Sequence, residues 1–433
     1  MRSTPPRQTT PGVAVAVDPW GGPYYGRSMV SRRTAFEWLF WLAPALLGGC
    51  NAIFGIEPAS SGSVGSTGGA TATSSASTSG DVGGGTATAT ATGVGGAATS
   101  SAASGTGGSA PCASDRVQAC DAMNGACTPH TVDATLNDAI RIAVSGDFVF
   151  ISTDLGIHRE RYDGTQGLDF GAVNSGTDGL TIVGDHVYWA NYFSGAVTSS
   201  LLDGKSPLIV AKLPAGDTLG DGRLAARAGW VYWTSFSPRA VWRAADDGSE
   251  EQTPLAVVSA DDPVLKVSAP KSVAVDDTYL YWTDDDGVRR MAVKDIGTPA
   301  AKILDFAIDA SAPASEMLLD GGRVYWISLF GDVRSKATSA DPAEAPRVYQ
   351  QAQNDGPVQL AVDETYLYWI AESGAVSRAK KTGGSVDLVV AGVTPIPMDA
   401  PPGLAVDCGA VYWTTTRPTM ADKGTLWKAA KGP

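Results

Sequence analysis

Asp284-Asp285-Asp286 is a run of three consecutive carboxylates, and hard oxygen donors of that kind suit weak Ca²⁺ binding. Aromatic side chains stand at related places in the chain: Tyr192 and Phe193, Phe236, and Phe330. Aromatics on an exposed rim suit recognition of a protein, peptide or sugar. Other chemistry is thinly supplied. There are only three histidines, His130, His158 and His186, and the five cysteines (Cys50, Cys112, Cys120, Cys127, Cys408) contain no Cys-x-x-Cys pair. A zinc site is therefore not expected on spacing or ligand supply, and no cofactor is called for. His186 occupies a turn that Tyr279 and Tyr366 fill elsewhere, and His158 falls on a strand; both read as incidental. There is no His-Glu-x-x-His, no convincing nucleophile elbow and no phosphate loop, so no catalytic residue is assigned. The net charge of −13 argues against nucleic acid as a partner, because phosphate binding needs basic surface.

The elements that would carry these residues show a strong repeat. A Tyr-Trp pair recurs at 188–189, 232–233, 281–282, 325–326, 368–369 and 412–413, with successive tryptophans 44, 49, 44, 43 and 44 residues apart. A period in the forties built from short strands signals a repeat architecture. A seventh unit precedes these, with Phe150-Ile151 in place of Tyr-Trp. Each unit reads as an apolar strand, a turn with Asp or Gly, a β-branched and aromatic strand, and then two more strands. This is the composition of a β-propeller blade, so the expected fold is all-β, with seven four-stranded antiparallel blades. Recurrent Asp276, Asp363 and Asp407 are expected to serve the first turn, and each Trp to pack between blades.

The last unit, at the C-terminal end, lacks a fourth strand, while His130-Thr-Val-Asp-Ala-Thr-Leu136 precedes the first unit as an orphan. Using that orphan as the outer strand of the last blade closes the ring and pairs a free edge. Cys127 then lies near Cys408, and a Cys127–Cys408 disulfide is expected to lock the closure, with Cys112–Cys120 as a local bridge. Four cysteines allow three pairings.

Tyr281-Trp-Thr-Asp284 is a full match to the motif of the YWTD repeats of low-density-lipoprotein-receptor class B type, and the other units resemble relaxed versions of it. The resemblance covers about residues 130–433. It implies a propeller that serves chiefly as a binding module, commonly with six blades, which leaves six as the alternative to seven. Bacterial propellers of similar appearance include lactonase-, lyase- and hydrolase-like enzymes whose site lies at the channel mouth, which is the alternative function.

The N-terminal third carries an address rather than a fold. Residues 29–49 combine the basic pair Arg32-Arg33 with a short apolar run, Leu39 to Leu47, of signal-peptide length. Leu47-Gly-Gly-Cys50 resembles a bacterial lipobox, which implies lipidation at Cys50, and Ser31–Phe36 resembles a twin-arginine motif imperfectly. Residues 1–28 read as an upstream segment, with Met29 as a candidate start. Asn51 after the lipidated cysteine leans toward the outer membrane of a bacterial envelope. Residues 50–111 are rich in Gly, Ser, Thr and Ala, too poor in large apolar side chains to offset the entropy of ordering, and so are expected to form a disordered tether. Residues 112–129 form a Cys-containing leader and 130–433 the propeller. The expected whole is a lipid-anchored envelope protein presenting a non-catalytic binding or scaffold module to a protein, peptide or glycan.

Overall fold

The Tyr-Trp pair is explained by strand geometry. Successive side chains of a strand point to opposite faces, so adjacent aromatics must enter two different layers. In the computed structural model they do. Tyr188 packs forward against Leu224 and Trp233 of the next unit, while Trp189 packs back against Ala143 and Phe150 of the previous one. Tyr281 likewise meets Met317 and Trp326, and Trp282 meets Ala225 and Tyr232. The core therefore consists of a series of interfaces between consecutive blades, five of them with a tyrosine from one side and a tryptophan from the other, while Phe150 takes the tyrosine place between blades 1 and 2. All six tryptophans of the pairs are buried. At the joint between the last and first units Tyr412 meets Ile142 and Ile151, so the indole is absent there.

The structure describes residue 120 and residues 126–432, apart from 172–176, 192–193, 214–217, 249–253, 310–312, 352–354, 393–401 and 416–422. The signal-like segment, Cys50, the Gly/Ser/Thr/Ala-rich stretch, Cys112, Tyr192 and Phe193 lie outside the described residues.

Seven four-stranded antiparallel sheets make up a propeller, which settles the blade number at seven rather than six. Blade 1 runs outward from β2 (Ile142–Ser145) through β3 (Phe148–Thr153) and β4 (Gly156–Arg161) to β5 (Leu168–Phe170). Blades 2 to 6 repeat this order. Blade 7 takes its inner three strands from Leu404–Val406, Ala410–Thr415 and Gly424–Ala430. Its outer strand is β1 (His130–Leu136), which pairs antiparallel with Gly424–Ala430. The ring is thus closed by exchange of terminal strands, as the orphan segment suggests. Apart from a 3₁₀ turn at Val293–Asp295, the described elements are all strands.

The expected disulfides are not the ones present. Cys127 is bonded to Cys120, with Cα atoms 4.9 Å apart. Cys408 is also disulfide-bonded, but not to Cys127. The reason lies in where the leader runs. Cys127 donates its N–H to the Val389 carbonyl at 2.7 Å and packs with Val389, Val390 and Ala430, so it sits against the outer part of blade 6. Chain order alone places it near Cys408 in blade 7 instead.

Candidate binding face

In a four-stranded antiparallel meander the first and third connections emerge on one side of the ring. The second connection emerges on the other, together with the link to the next blade. These two faces differ in chemistry.

In blades 4, 6 and 7 the first-turn face is built from a repeated carboxylate. Asp363 Oδ1 accepts the N–H groups of Thr365 and Tyr366 at 2.8 and 2.7 Å, and its Oδ2 accepts the Tyr368 hydroxyl at 2.9 Å. Asp276 does the same with Thr278, Tyr279 and Tyr281, and Asp407 with Gly409, Ala410 and Tyr412. In blades 4, 6 and 7 the tyrosine of the pair therefore ties its strand to its own turn, whereas Tyr188 reaches Asp246 of the next blade at 3.4 Å. Cations from neighbouring blades add to this: Lys431 reaches Asp363 at 2.7 Å, Lys381 reaches Asp320 at 2.6 Å, and Arg227 reaches Asp277 at 2.6 Å. An arginine on the third strand completes the joint. Arg159, Arg290 and Arg378 each stack on the aromatic opening the second strand and donate to a carbonyl of the next blade, of Leu202, Thr338 and Lys431. That arginine escaped sequence reading because the connection before it varies in length, so its spacing from the Tyr-Trp pair is not constant.

The opposite face carries exposed apolar side chains. Phe236 and Phe330, both expected there, are 64% and 55% exposed at the second connections of blades 3 and 5. Leu329 is beside Phe330, Leu155 (57%) occupies the same connection of blade 1, and Val264 (80%) lies on the link from blade 3 to blade 4. Sequence reading missed these three because it looked only for aromatics. Other exposed apolar residues, such as Leu168, Ile209 and Leu388, belong to outer strands at the rim.

The acidic run sits on this face but is already committed. Asp284 is fully buried; its Oδ1 accepts the Asp286 N–H at 2.9 Å, and Arg289 Nε lies 3.3 Å from its Oδ2. Burial raises its pKa, against the opposing pull of the Asp286 N–H and Arg289. Asp286 pairs with Arg289, and Asp285 with Lys271 at 3.1 Å. Asp284 is therefore a turn cap. Asn191 and Ser328 stand at the same place in blades 2 and 5, accepting the N–H groups of Ser194 and Asp332. Asp284 and Asp286 share Arg289, and Asp285 turns away to Lys271. The group of potential metal ligands that does converge among the described residues is Asp133, His158 and Glu160. Glu160 is pushed up to about 8 by burial and by the charges of Asp133 and Asp163.

A further cluster lies on the axis. Ten residues before each Trp of the repeat, or before Ile151, is a place at or just before the inner strand that carries a side chain in five blades: Arg141, Arg223, Ser272, Glu316 and Gln359 hold it in blades 1, 3, 4, 5 and 6. Arg223 and Glu316 form a buried ion pair, and Arg141 acts electrostatically on both. Blades 1, 3 and 5 are not neighbours, so these side chains meet only near the centre of the ring. Burial pushes Arg223 down and Glu316 up, and their mutual attraction opposes both shifts. The constant offset from Trp was the available signal.

No protein-family model matches the sequence, and neither does any curated protein. Among solved structures, the β-propeller domain of Myceliophteria thermophila Cps50 (Swd1) is similar at a TM-score of 0.51 and 11% identity, over 69% of this chain and 99% of that one. The WD40 β-propeller domain of Doa1 gives 0.49 and 13%, over 69% and 95%. YCF48 bound to D1 peptide gives 0.47 and 12%, over 72% and 99%. The likeness is one of fold.

Proposed function

We propose that the chain is a lipid-anchored envelope protein whose propeller binds a protein or peptide partner through the face made by the second connections and the blade-to-blade links. One observation carries the reading. Phe236, Phe330, Leu329, Leu155 and Val264 are exposed on that face, whereas the turn carboxylates and tyrosines of the opposite face are consumed in holding blades together. A few anchors near the centre of a contact surface supply most of its affinity, and aromatic rings such as Phe236 and Phe330 suit that role better than the aliphatic side chains beside them. Tyr192 and Phe193 belong to the same connection in blade 2. The Gly/Ser/Thr/Ala stretch would hold this platform away from the lipid surface, with a reach of roughly 40 Å for some fifty flexible residues.

Two measurements test the proposal. Photo-crosslinking residues placed at 236 and 330 are expected to trap one defined partner in the cell envelope, while the same probe at 388 on the rim traps none. Equal labelling from all three positions would remove the case for this face. Mass spectrometry of the mature N-terminus is expected to find a lipidated Cys50; an intact Met1 with unmodified Cys50 would end the lipoprotein reading.

The axial cluster favours a second reading, a propeller enzyme working at the channel mouth. Turnover of a lactone or glycoside that is lost in Glu316→Gln, with no partner trapped at 236 or 330, would put it first.

A further inference from the structure

We propose that Asp133, His158 and Glu160 form a site for a borderline divalent metal ion, of the Zn²⁺ or Mn²⁺ class, which clasps the ring-closing strand to blade 1. Asp133 lies on β1, the outer strand of blade 7, and His158 and Glu160 lie on β4 of blade 1. Their ligand atoms all fall within 4.8 Å of one another. Alternation along β4 explains the convergence. Ile157 and Arg159 face blade 2, where Ile157 packs with Trp189 and Arg159 reaches the Leu202 carbonyl, so His158 and Glu160 face the other way.

The spacing fits an ion rather than direct bonds. His158 Nε2 lies 3.9 Å from Asp133 Oδ2 and 4.0 Å from Glu160 Oε2, beyond hydrogen-bond reach. Metal–ligand bonds of about 2.0–2.2 Å put tetrahedral ligands about 3.4 Å apart, a spacing these atoms approach with small side-chain adjustments.

The surroundings are prepared for it. His158 Nδ1 is 2.7 Å from Asp169 Oδ1, and a carboxylate on that nitrogen fixes the proton there and turns the Nε2 lone pair toward the cluster. Asp133 Oδ1 is held by the Thr135 N–H and hydroxyl, each at 2.7 Å, which leaves Oδ2 facing His158. Glu160 is only 2% exposed, and its Oε1 and the His158 Nε2 are buried without a hydrogen bond. Buried polar atoms without partners are costly, and a cation at the centre of the cluster would satisfy both at once. One imidazole with two carboxylates suits Zn²⁺ or Mn²⁺ better than Ca²⁺, which prefers an all-oxygen shell. The site also lies at the joint where Ile151 replaces the indole of the other six interfaces.

The test is calorimetric titration of the chelator-treated full chain with Zn²⁺ and with Mn²⁺, alongside thermal melting with and without each metal. One ion per chain, micromolar or tighter, and a rise in melting temperature are expected for the wild type. Glu160→Gln and His158→Ala are expected to weaken binding at least tenfold and to abolish the melting shift. Asp169→Asn, at an exposed residue that leaves the fold intact, is expected to weaken it more modestly through loss of Nδ1 orientation. Absence of stoichiometric binding overturns the proposal. So does binding that is unchanged in both Glu160→Gln and Asp169→Asn. A melting temperature indifferent to metal but raised by Glu160→Gln would identify a closed ion cluster instead, and would equally overturn it.

Discussion

The two faces of the ring are made from the same strands, yet one reuses a single fastening in blades 4, 6 and 7 and the other repeats nothing. On the first-turn face Asp276, Asp363 and Asp407 repeat a three-bond arrangement almost atom for atom. On the opposite face blade 1 offers Leu155, blade 3 Phe236, blade 4 a neutralised acidic turn and blade 5 Leu329-Phe330. A face that fastens blades reuses a good solution in several of them; a face released from that task can differ at each blade, and a binding surface is assembled from those differences.

Five expected outcomes sharpen this contrast. The largest concerns what both faces depend on: Trp282→Ala should cost about 3–5 kcal/mol in denaturant unfolding, because the indole fills the interface with blade 3 and its loss leaves a cavity. A loss under about 1 kcal/mol would mean the blades do not rely on it. Next comes Asp363→Ala, which removes acceptors for two N–H groups, a hydroxyl and Lys431, and should cost about 2–3 kcal/mol.

The same carboxylate gives a pH dependence. Burial raises the Asp363 pKa, but Lys431 and the turn N–H groups outweigh it and hold the carboxyl below its ordinary value of 3.8. Its folded value is depressed, so its stabilisation is present above 3.8 and fades as the pH falls through the lower folded value. Acid titration of stability should lose a component in that window that is missing in Asp363→Asn. Tyr368→Phe, which deletes the hydroxyl bond to Asp363 and the contact of that hydroxyl with Arg378, should cost about 1–2 kcal/mol.

The smallest effect on stability belongs to the variable face. Phe236→Ser with Phe330→Ser should leave unfolding within about 0.5 kcal/mol of wild type, as expected for exposed positions away from packed features. The same pair should lower affinity for the crosslinked partner at least tenfold. If stability falls sharply instead, those rings are part of the core, and the difference between the faces disappears.

Much of this was legible in the sequence where one residue answers to one local requirement. The Tyr-Trp period follows from strand alternation, the turn aspartates from backbone N–H groups that must be satisfied, and the orphan strand from an edge that must be paired. What escaped depended on distance through space. Arg290 serves the neighbouring blade's Thr338 carbonyl, and variable loops hide its spacing. His158 read as incidental because its companion Asp133 is a strand of another blade away. Cys127 was assigned to blade 7 because a chain leading into β1 was expected to approach from that blade, whereas hydrogen bonding to Val389 draws it to blade 6. Asp284 stood out as the best copy of its motif, and that made it a turn cap rather than a ligand.

The forward tyrosine and backward tryptophan, or Phe150 and Ile151 in blade 1, give every blade two unlike sides. Stacking is therefore head-to-tail, the kind of contact that closes only when the accumulated rotation comes full circle and otherwise continues indefinitely. A chain shortened by one internal unit would keep both complementary ends but lose the rotation that brings them together. Its expected fate is to join ends with other copies, and light scattering on such a deletion would show open, concentration-dependent polymers in place of a smaller ring.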